Sequence, residues 1–411
     1  MEMKKYRLAD IAEIVISSVD KKTKPGEKIV RLCNFTDVYH NWAIKQSDYD
    51  SFMVASASDS NINKLSLKKG FVAFTKDSET RDDIGISTYI ADDFDDVVLG
   101  YHCALAKPNE KIVYGKYLNA FMSSDYIKKY FELNATGSGM RFTLAVSTME
   151  DMPIMLPSLN VQKKIGDMLS DFDKRIENLR AQNRVLEQTA KTIYDYTFLQ
   201  CAGHQITYNK TLNRNIPAEW EVKEFQNICN IKRGASPRPI DDYMDPTNQG
   251  MPWVKISDAS KDGSPFMLDV KESIIKDGVS KSVTVTPGTL IVSNSASPGI
   301  PKFIQLTACV HDGWLVLDKY DESFKYYLFY VILDMRENLL HIASGSVFKN
   351  LKTDYLKQLP VLIPDSKTME NFNAKIKPLF EKQLVNAKQI ESLTTQRNTL
   401  LPLLITGQIE V

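Results

Sequence analysis

Pro153-Ile154-Met155-Leu156-Pro157 and Pro360-Val361-Leu362-Ile363-Pro364 decide the fold of this chain. Each is a short apolar run closed at both ends by proline, which reads as a strand whose limits are fixed. Each leads through a polar stretch into a long apolar stripe. The first stripe is Ile165, Leu169, Phe172, Ile176, Leu179, Asn183, Leu186, Ala190 and Ile193, in steps alternating four and three. That spacing is a coiled-coil seam. The second includes Phe372, Ile376, Leu379, Gln383, Ile390, Leu393, Leu400 and Leu404. A chain that writes strand and then helix twice is a tandem repeat, and this sets both its shape and what it can do.

Matching the halves outward from these anchors gives further pairs. Tyr6-Arg7-Leu8-Ala9-Asp10-Ile11 sits opposite Trp220-Glu221-Val222-Lys223-Glu224-Phe225, each an aromatic followed by apolar residues at three-residue steps. Ile29-Val30-Arg31-Leu32 stands beside Pro252-Trp253-Val254-Lys255-Ile256 as a short strand. Lys69-Gly70-Phe71-Val72-Ala73-Phe74-Thr75 matches Pro287-Gly288-Thr289-Leu290-Ile291-Val292-Ser293, a glycine turn feeding a strand. Tyr117-Leu118 matches Tyr327-Leu328 at the start of a helix, and Gly137-Ser138-Gly139-Met140 faces Gly345-Ser346-Val347-Phe348. Short strands mixed with a few helices predict an α+β unit with a curved or barrel-like sheet, made twice. The segments are 1–158, a globular unit; 159–202, a helix; 203–365, a second globular unit; and 366–411, a second helix and tail.

The first helix is expected from about Val161 to Leu199, on the order of 55–60 Å long. The second is expected from about Thr368 to Leu401, ending before Pro402, with a kink or late start at Pro378. Glu177-Asn178-Leu179 returns as Glu391-Ser392-Leu393 after 214 residues, whereas the proline strands are 207 apart. The second helix has gained one heptad. Neither stripe can be buried alone, so the two helices are expected to pair antiparallel with pseudo-twofold symmetry, Asn183 lying near Gln383.

Composition is that of an ordinary globular protein, with 43% hydrophobic and 25% charged residues. Apolar runs stay far below the roughly 20 residues that span a bilayer, and the polar start Met1-Glu2-Met3-Lys4-Lys5 has no signal-peptide core. A cytoplasmic protein is expected. Five scattered cysteines and five histidines form no metal pattern. The formal net charge of zero argues against a non-specific nucleic-acid coat but leaves room for local basic faces. The aspartates at 92, 93, 95 and 96 read as a solvated loop. No glycine-rich cofactor loop, Asn/Asp-Pro-Pro-aromatic motif, nucleotide-binding P-loop, H-E-x-x-H or G-x-S-x-G is present, so no catalytic residue is assigned.

The tandem order, the strand Met152 to Pro157, the segment Gln162-Lys163-Lys164-Ile165-Gly166-Asp167-Met168-Leu169-Ser170-Asp171-Phe172-Asp173-Lys174-Arg175-Ile176 and the ending Leu400-Leu401-Pro402-Leu403-Leu404-Ile405-Thr406-Gly407-Gln408-Ile409 together resemble the specificity subunit of type I restriction–modification enzymes. The resemblance covers nearly the whole chain. It implies two target recognition domains, each reading half of a bipartite, asymmetric site in double-stranded DNA, with the helices setting the gap. It also implies two methyltransferase subunits as partners, which would hold S-adenosylmethionine, and motor-nuclease subunits joining through the complex. No cofactor or membrane is implied for this chain.

On that reading, contacts fall to polar and basic residues of loops repeated in both copies. The candidates in the first copy are Lys21, Lys22, Lys24, Arg31, Lys76, Arg81 and Arg141. In the second they are Arg233, Ser236, Arg238, Lys255, Asn294, Ser295, Lys302, Ser346 and Lys349. Tyr39, His40 and Trp42 form an aromatic cluster suited to a sugar, a base, the core or a partner contact. The competing reading is a non-catalytic coiled-coil scaffold with two protein-binding domains; a stand-alone enzyme lacks any motif.

Overall fold

The computed structural model describes residues 3–139, 141–201, 203–259, 263–295, 297–344 and 353–411. The chain divides into two compact units, Met1–Glu177 with Ser392–Val411, and Asn178–Glu391. Each long helix is therefore shared between units, so compactness does not follow the four segments read along the chain.

The repeat is written in the hydrogen bonds. In the first unit a five-stranded sheet runs in the order Ala12–Ile16, Cys103–Pro108, Val72–Thr75, Ser87–Ile90, Ala43–Ile44. In the second the order is Asn230–Arg233, Trp314–Asp318, Leu290–Ser293, Pro301–Ile304, Phe266–Met267. Both sheets are antiparallel except at the last pair, which is parallel in both. A second sheet follows the same rule. Met53–Ala57, Lys28–Cys33 and Val97–Leu99 match Glu272–Ile274, Met251–Val254 and Ala308–Val310, where only the second unit adds Val283–Val285. The expected curved or barrel-like sheet takes the form of separate sheets in each unit.

Strand sequence explains the layering. Val72, Phe74, Ala104 and Ala106 enter one core, while Ala73, Cys103 and Leu105 enter another on the opposite face. The second unit repeats this, with Leu290, Val292, Leu315 and Leu317 on one side and Ile291, Trp314 and Val316 on the other. A central sheet covered on both faces needs continuous apolar runs rather than alternation. Gly70 (φ 95°) and Gly288 (φ 90°) start the equivalent strands, in a left-handed conformation that favours glycine. Tyr117 and Tyr327 each donate from the hydroxyl to the proline-bracketed strand, at the carbonyls of Met155 and Leu362.

One match read from the sequence is corrected. Arg7 pairs with Pro153 and Glu224 with Pro360, so Leu8 corresponds to Phe225, not to Val222. The backbone N–H of Leu8 and of Phe225 donate to Met152 and Leu359, the same place in each copy. The apolar spacing is three in both segments, and a slip of three residues preserves it.

The first long helix covers Leu159–Tyr194 and continues as a π turn, Asp195–Leu199. The second covers Ser366–Ile405 without a break, so the late start at Pro378 and the stop before Pro402 are both corrected. Pro378 and Pro402 lie on the exposed side, as do Ala374 and Asn398 four residues earlier, so water can serve the carbonyls that lose their helical donors. Asp365 caps this helix: its carboxylate accepts from the Thr368 N–H (3.0 Å) and from Trp220 Nε1 (2.9 Å).

Within each unit the helices run antiparallel. In the first, Ile165 and Leu169 share a core with Leu401, Leu404 and Ile405. In the second, Ala190 and Tyr194 share one with Met369, Phe372, Ile376 and Phe380. Phe380 is fully buried where the sequence reading chose Leu379, which is only half-buried. Phe172, Ile176, Leu179, Leu186, Ile193, Ile390, Leu393 and Leu400 are buried or half-buried along the seam.

Asn183 donates to the Gln383 carbonyl (3.4 Å), and its Oδ1 accepts from Asn386 Nδ2 (2.9 Å). The Gln383 Nε2 and Asn386 Oδ1 atoms are buried without a hydrogen-bond partner. Such a seam fixes register at a cost in stability. Replacing Asn183 and Asn386 together by leucine is expected to raise the melting temperature by a few degrees and to yield mixed oligomers on size exclusion. A stabilised protein that stayed uniform would show that these amides do not set register.

Candidate nucleic-acid interface

At the end of the central sheet in the first unit, Thr75 pairs with Cys103 and the Lys76 N–H donates to the His102 carbonyl. This turn gathers charge. Asp77, almost wholly buried, accepts from Lys76 Nζ (2.8 Å) and lies 2.6 Å from His102 Nδ1. Arg141 Nη2 is 3.6 Å from the same carboxylate oxygen, with its side chain 68% exposed. Burial pushes the Asp77 carboxyl up, but hydrogen bonds from Lys76, Thr143 and His102 outweigh it and bring it down to about 2. Arg141 stands on the ribbon Arg141–Thr143, which pairs with Thr136–Ser138 and with Asp77–Ser78, and Arg81 lies over the Phe142 ring. Lys76 and Arg81, five residues apart, therefore share one corner with the distant Arg141.

The second unit has the corresponding corner where Ser293 pairs with Trp314 and the Asn294 N–H donates to the Gly313 carbonyl. Asp312 is its centre. Ser236 Oγ donates to it (2.8 Å), His311 Nε2 lies 3.2 Å away, and Arg233 and Arg238 each bring Nη2 to 3.7 Å. Burial pushes the Asp312 carboxyl up, yet the Ser236 bond and the nearby His311, Arg233 and Arg238 hold it below its ordinary value. Burial also lowers His311, whose Nδ1 accepts from the Gly313 N–H. Arg233 is tied by Nε to the Asp312 carbonyl (2.7 Å), while the Arg238 side chain is 79% exposed.

The other candidates divide. Lys21, Lys22 and Lys24 are exposed on one loop, Lys24 paired with Asp20. Arg31 turns inward, donating to the Phe52 carbonyl (2.9 Å) with its guanidinium over Tyr49. Lys255 is half-buried on Glu272, and Ser295 is half-buried beside Gly313. Two readings are corrected. Lys302 is only 3% exposed, because it points into the sheet and donates to the Ser264 carbonyl. Asn294 is 1% exposed and donates to the Asp312 carbonyl, which makes it a brace for the corner rather than part of its surface. Ser346 and Lys349 lie outside the described residues. Trp42 is half-buried beneath Arg397, and Tyr39 donates to Asp83, so the aromatic cluster is largely engaged within the protein.

The aspartate loop is less solvated than expected. Asp92 and Asp93 accept from the Gln46 and Lys69 backbone, and Asp96 from the Tyr49 hydroxyl. All five cysteines are buried thiols. Among the described residues no group of three or more His, Cys, Asp or Glu could hold a metal ion, and no helix is long and apolar enough to cross a membrane. Asp77, His102, His311 and Asp312 were missed in the sequence because nothing in local spacing marks partners that meet only through the sheet.

A family model for the type I restriction modification DNA specificity domain matches residues 1–188 and again 217–400. The type I restriction enzyme MjaIX specificity subunit of Methanocaldococcus jannaschii is 27% identical over 314 residues, 74% of this chain and 71% of that one. The HindI specificity subunit of Haemophilus influenzae is 21% identical over an alignment covering 99% of this chain and all of the relative. Among solved structures, the S subunit of a type I restriction-modification system from M. genitalium superposes with a TM-score of 0.59 at 14% identity, covering 98% of this chain and 96% of that one. At that identity the likeness speaks for the fold.

Proposed function

Because this chain belongs to the family of type I restriction–modification DNA specificity subunits and carries its recognition domain twice, we propose that each copy reads one half of a bipartite, asymmetric site in double-stranded DNA. The observation that carries this reading is the repeated corner. Two sheets with the same strand order each end in a cluster of exposed guanidinium groups at the same turn. Phosphate anchors such as Lys21 and Lys22 would set orientation, and the corners would face the bases. Residues 1–158 and 203–365 act as the two readers, and 159–202 and 366–411 as the spacer. Linking two weak readers multiplies specificity.

The chain itself performs no chemistry in this scheme. Two methyltransferase subunits, which bring S-adenosylmethionine, dock against the helices, and motor-nuclease subunits join through that complex in the cytoplasm. The zero net charge favours one other reading, a scaffold whose two domains bind proteins.

Co-expression with its methyltransferase partner, followed by mapping of methylated adenines across the host genome, tests both. A two-part motif with a constant gap, and affinity that falls steeply with salt, is expected. A stable complex that marks no motif would favour the scaffold.

A further inference from the structure

The two corners share a feature that phosphate anchoring does not need. In each, the exposed guanidinium stands against a carboxylate, Asp77 or Asp312. An anion on a DNA-facing surface repels phosphate and weakens any purely electrostatic anchor. The same anion is useful when a guanidinium must be held in one orientation. An arginine free in water has rotamer entropy to lose on binding, and a fixed fork loses less for each hydrogen bond it makes. Arg141 and Arg238 both approach their carboxylate through Nη2, and Arg141 Nη2 also lies 3.3 Å from His102 Nδ1, the imidazole that itself contacts Asp77.

The corners are also assembled from different positions. The turn hydrogen bonds align Lys76 with Asn294 and His102 with Gly313. Asp77 therefore falls on the place of Ser295, and Asp312 on the place of Tyr101. His102 and His311 are likewise not counterparts. A buttress inherited with the fold would occupy one position in both copies. Here an aspartate, an imidazole and an arginine meet twice at the same corner from unrelated positions, which ties the set to what the corner contacts rather than to how the sheet folds.

We propose that each corner reads a guanine: Arg141 in the first domain and Arg238 in the second present paired N–H groups to guanine O6 and N7, with Asp77 and Asp312 as the positioning residues that orient them. This rests on the DNA-reading function proposed above. Bidentate arginine is the side chain best matched to that base edge, and it demands an orientation that a flexible point charge does not. Asp77 is an anion down to a pH of about 2, and Asp312 also stays ionised below its ordinary range, so both anchors persist wherever duplex DNA does.

The test uses the complex with the methyltransferase subunit, with adenine-methylation mapping and duplex titration at several salt concentrations. The wild-type motif is expected to contain a G·C pair in each half. Arg238→Ala should make one such position degenerate, with roughly a 10–100-fold loss of discrimination, while the other half-site and the salt slope stay unchanged. Arg141→Ala should do the same in the opposite half. Arg238→Lys keeps the charge and removes the fork, and should relax the base, though less than alanine does because an ammonium still reaches O6 and N7. Asp312→Asn should relax the same position, and Asp312→Glu should restore it. Thermal unfolding and co-purification of each variant confirm that its fold is intact. Uniform weakening across sequences, with the salt slope lower by about one, would make the arginine a phosphate anchor and overturn the inference. So would a half-site without a G·C pair, or full base preference in Arg238→Lys. If the wild-type complex marks no bipartite motif at all, it is the proposed function that fails.

Discussion

Seven residues inserted into each long helix, after Glu177 and after Glu391, are expected to abolish methylation of the original site and to create a site with the same half-sites and a longer gap. These points are the borders of the compact units. They lie between two polar contacts of the seam, Asp173 with Arg397 on one side and Asn183 with Asn386 on the other, and both contacts survive the insertion. Seven residues lengthen a helix by about 10 Å, which is about three base pairs at 3.4 Å each. A heptad also returns the stripe to the same face, so the added turns can bury their own seam. Five residues would rotate the stripe by about 140° and break the pairing, and that variant should read no bipartite site. Loss of simultaneous engagement should weaken binding at the original site by roughly 10²–10⁴-fold. The readout is adenine mapping of the two variants beside the wild type. An unchanged gap in the heptad variant would show that the helices do not space the readers.

The parts of this architecture that were legible in the sequence are those set by local spacing. The seam from Ile165 to Ile193, the glycine turns before Val72 and Leu290, and the tyrosines at 117 and 327 occupy matching places in both copies. Spacing also misled, since a period of three cannot distinguish Leu8 opposite Val222 from Leu8 opposite Phe225. Prolines 378 and 402 were read as breaks because sequence gives the missing N–H but not which side of the helix faces water. The interface was harder to see. Lys302 and Asn294 are polar residues that look available, yet one donates to the Ser264 carbonyl and the other braces Asp312. The carboxylates that organise the corners depend on partners such as Ser236 and Asp312, 76 residues apart and brought together only by the sheet.

The Arg397–Asp173 pair should give the largest effect on stability. Arg397 Nη1 donates to Asp173 Oδ1 (2.6 Å), its guanidinium lies over the Trp42 ring, and the Asp173 side chain is only 9% exposed. The second carboxylate oxygen has no hydrogen-bond partner. Burial pushes the Asp173 carboxyl up to about 6 in spite of the arginine beside it. Removing the cation alone leaves a buried charge, so Arg397→Leu should cost about 3–5 kcal/mol near pH 7.5. The sign of the pH dependence follows from the raised value. Stability from this carboxyl is fully present below its unfolded value near 3.8 and is lost as pH rises through about 6, a swing of about 3 kcal/mol. Acidifying to pH 4.5 should therefore recover part of the Arg397→Leu loss. Asp173→Asn, which cannot ionise, should flatten that pH window and exceed the wild type in stability at pH 7.5. Urea unfolding of the three proteins at both pH values measures this. An equal penalty for Arg397→Leu at pH 4.5 and 7.5 would mean that the arginine contributes through packing on Trp42 rather than through the buried charge.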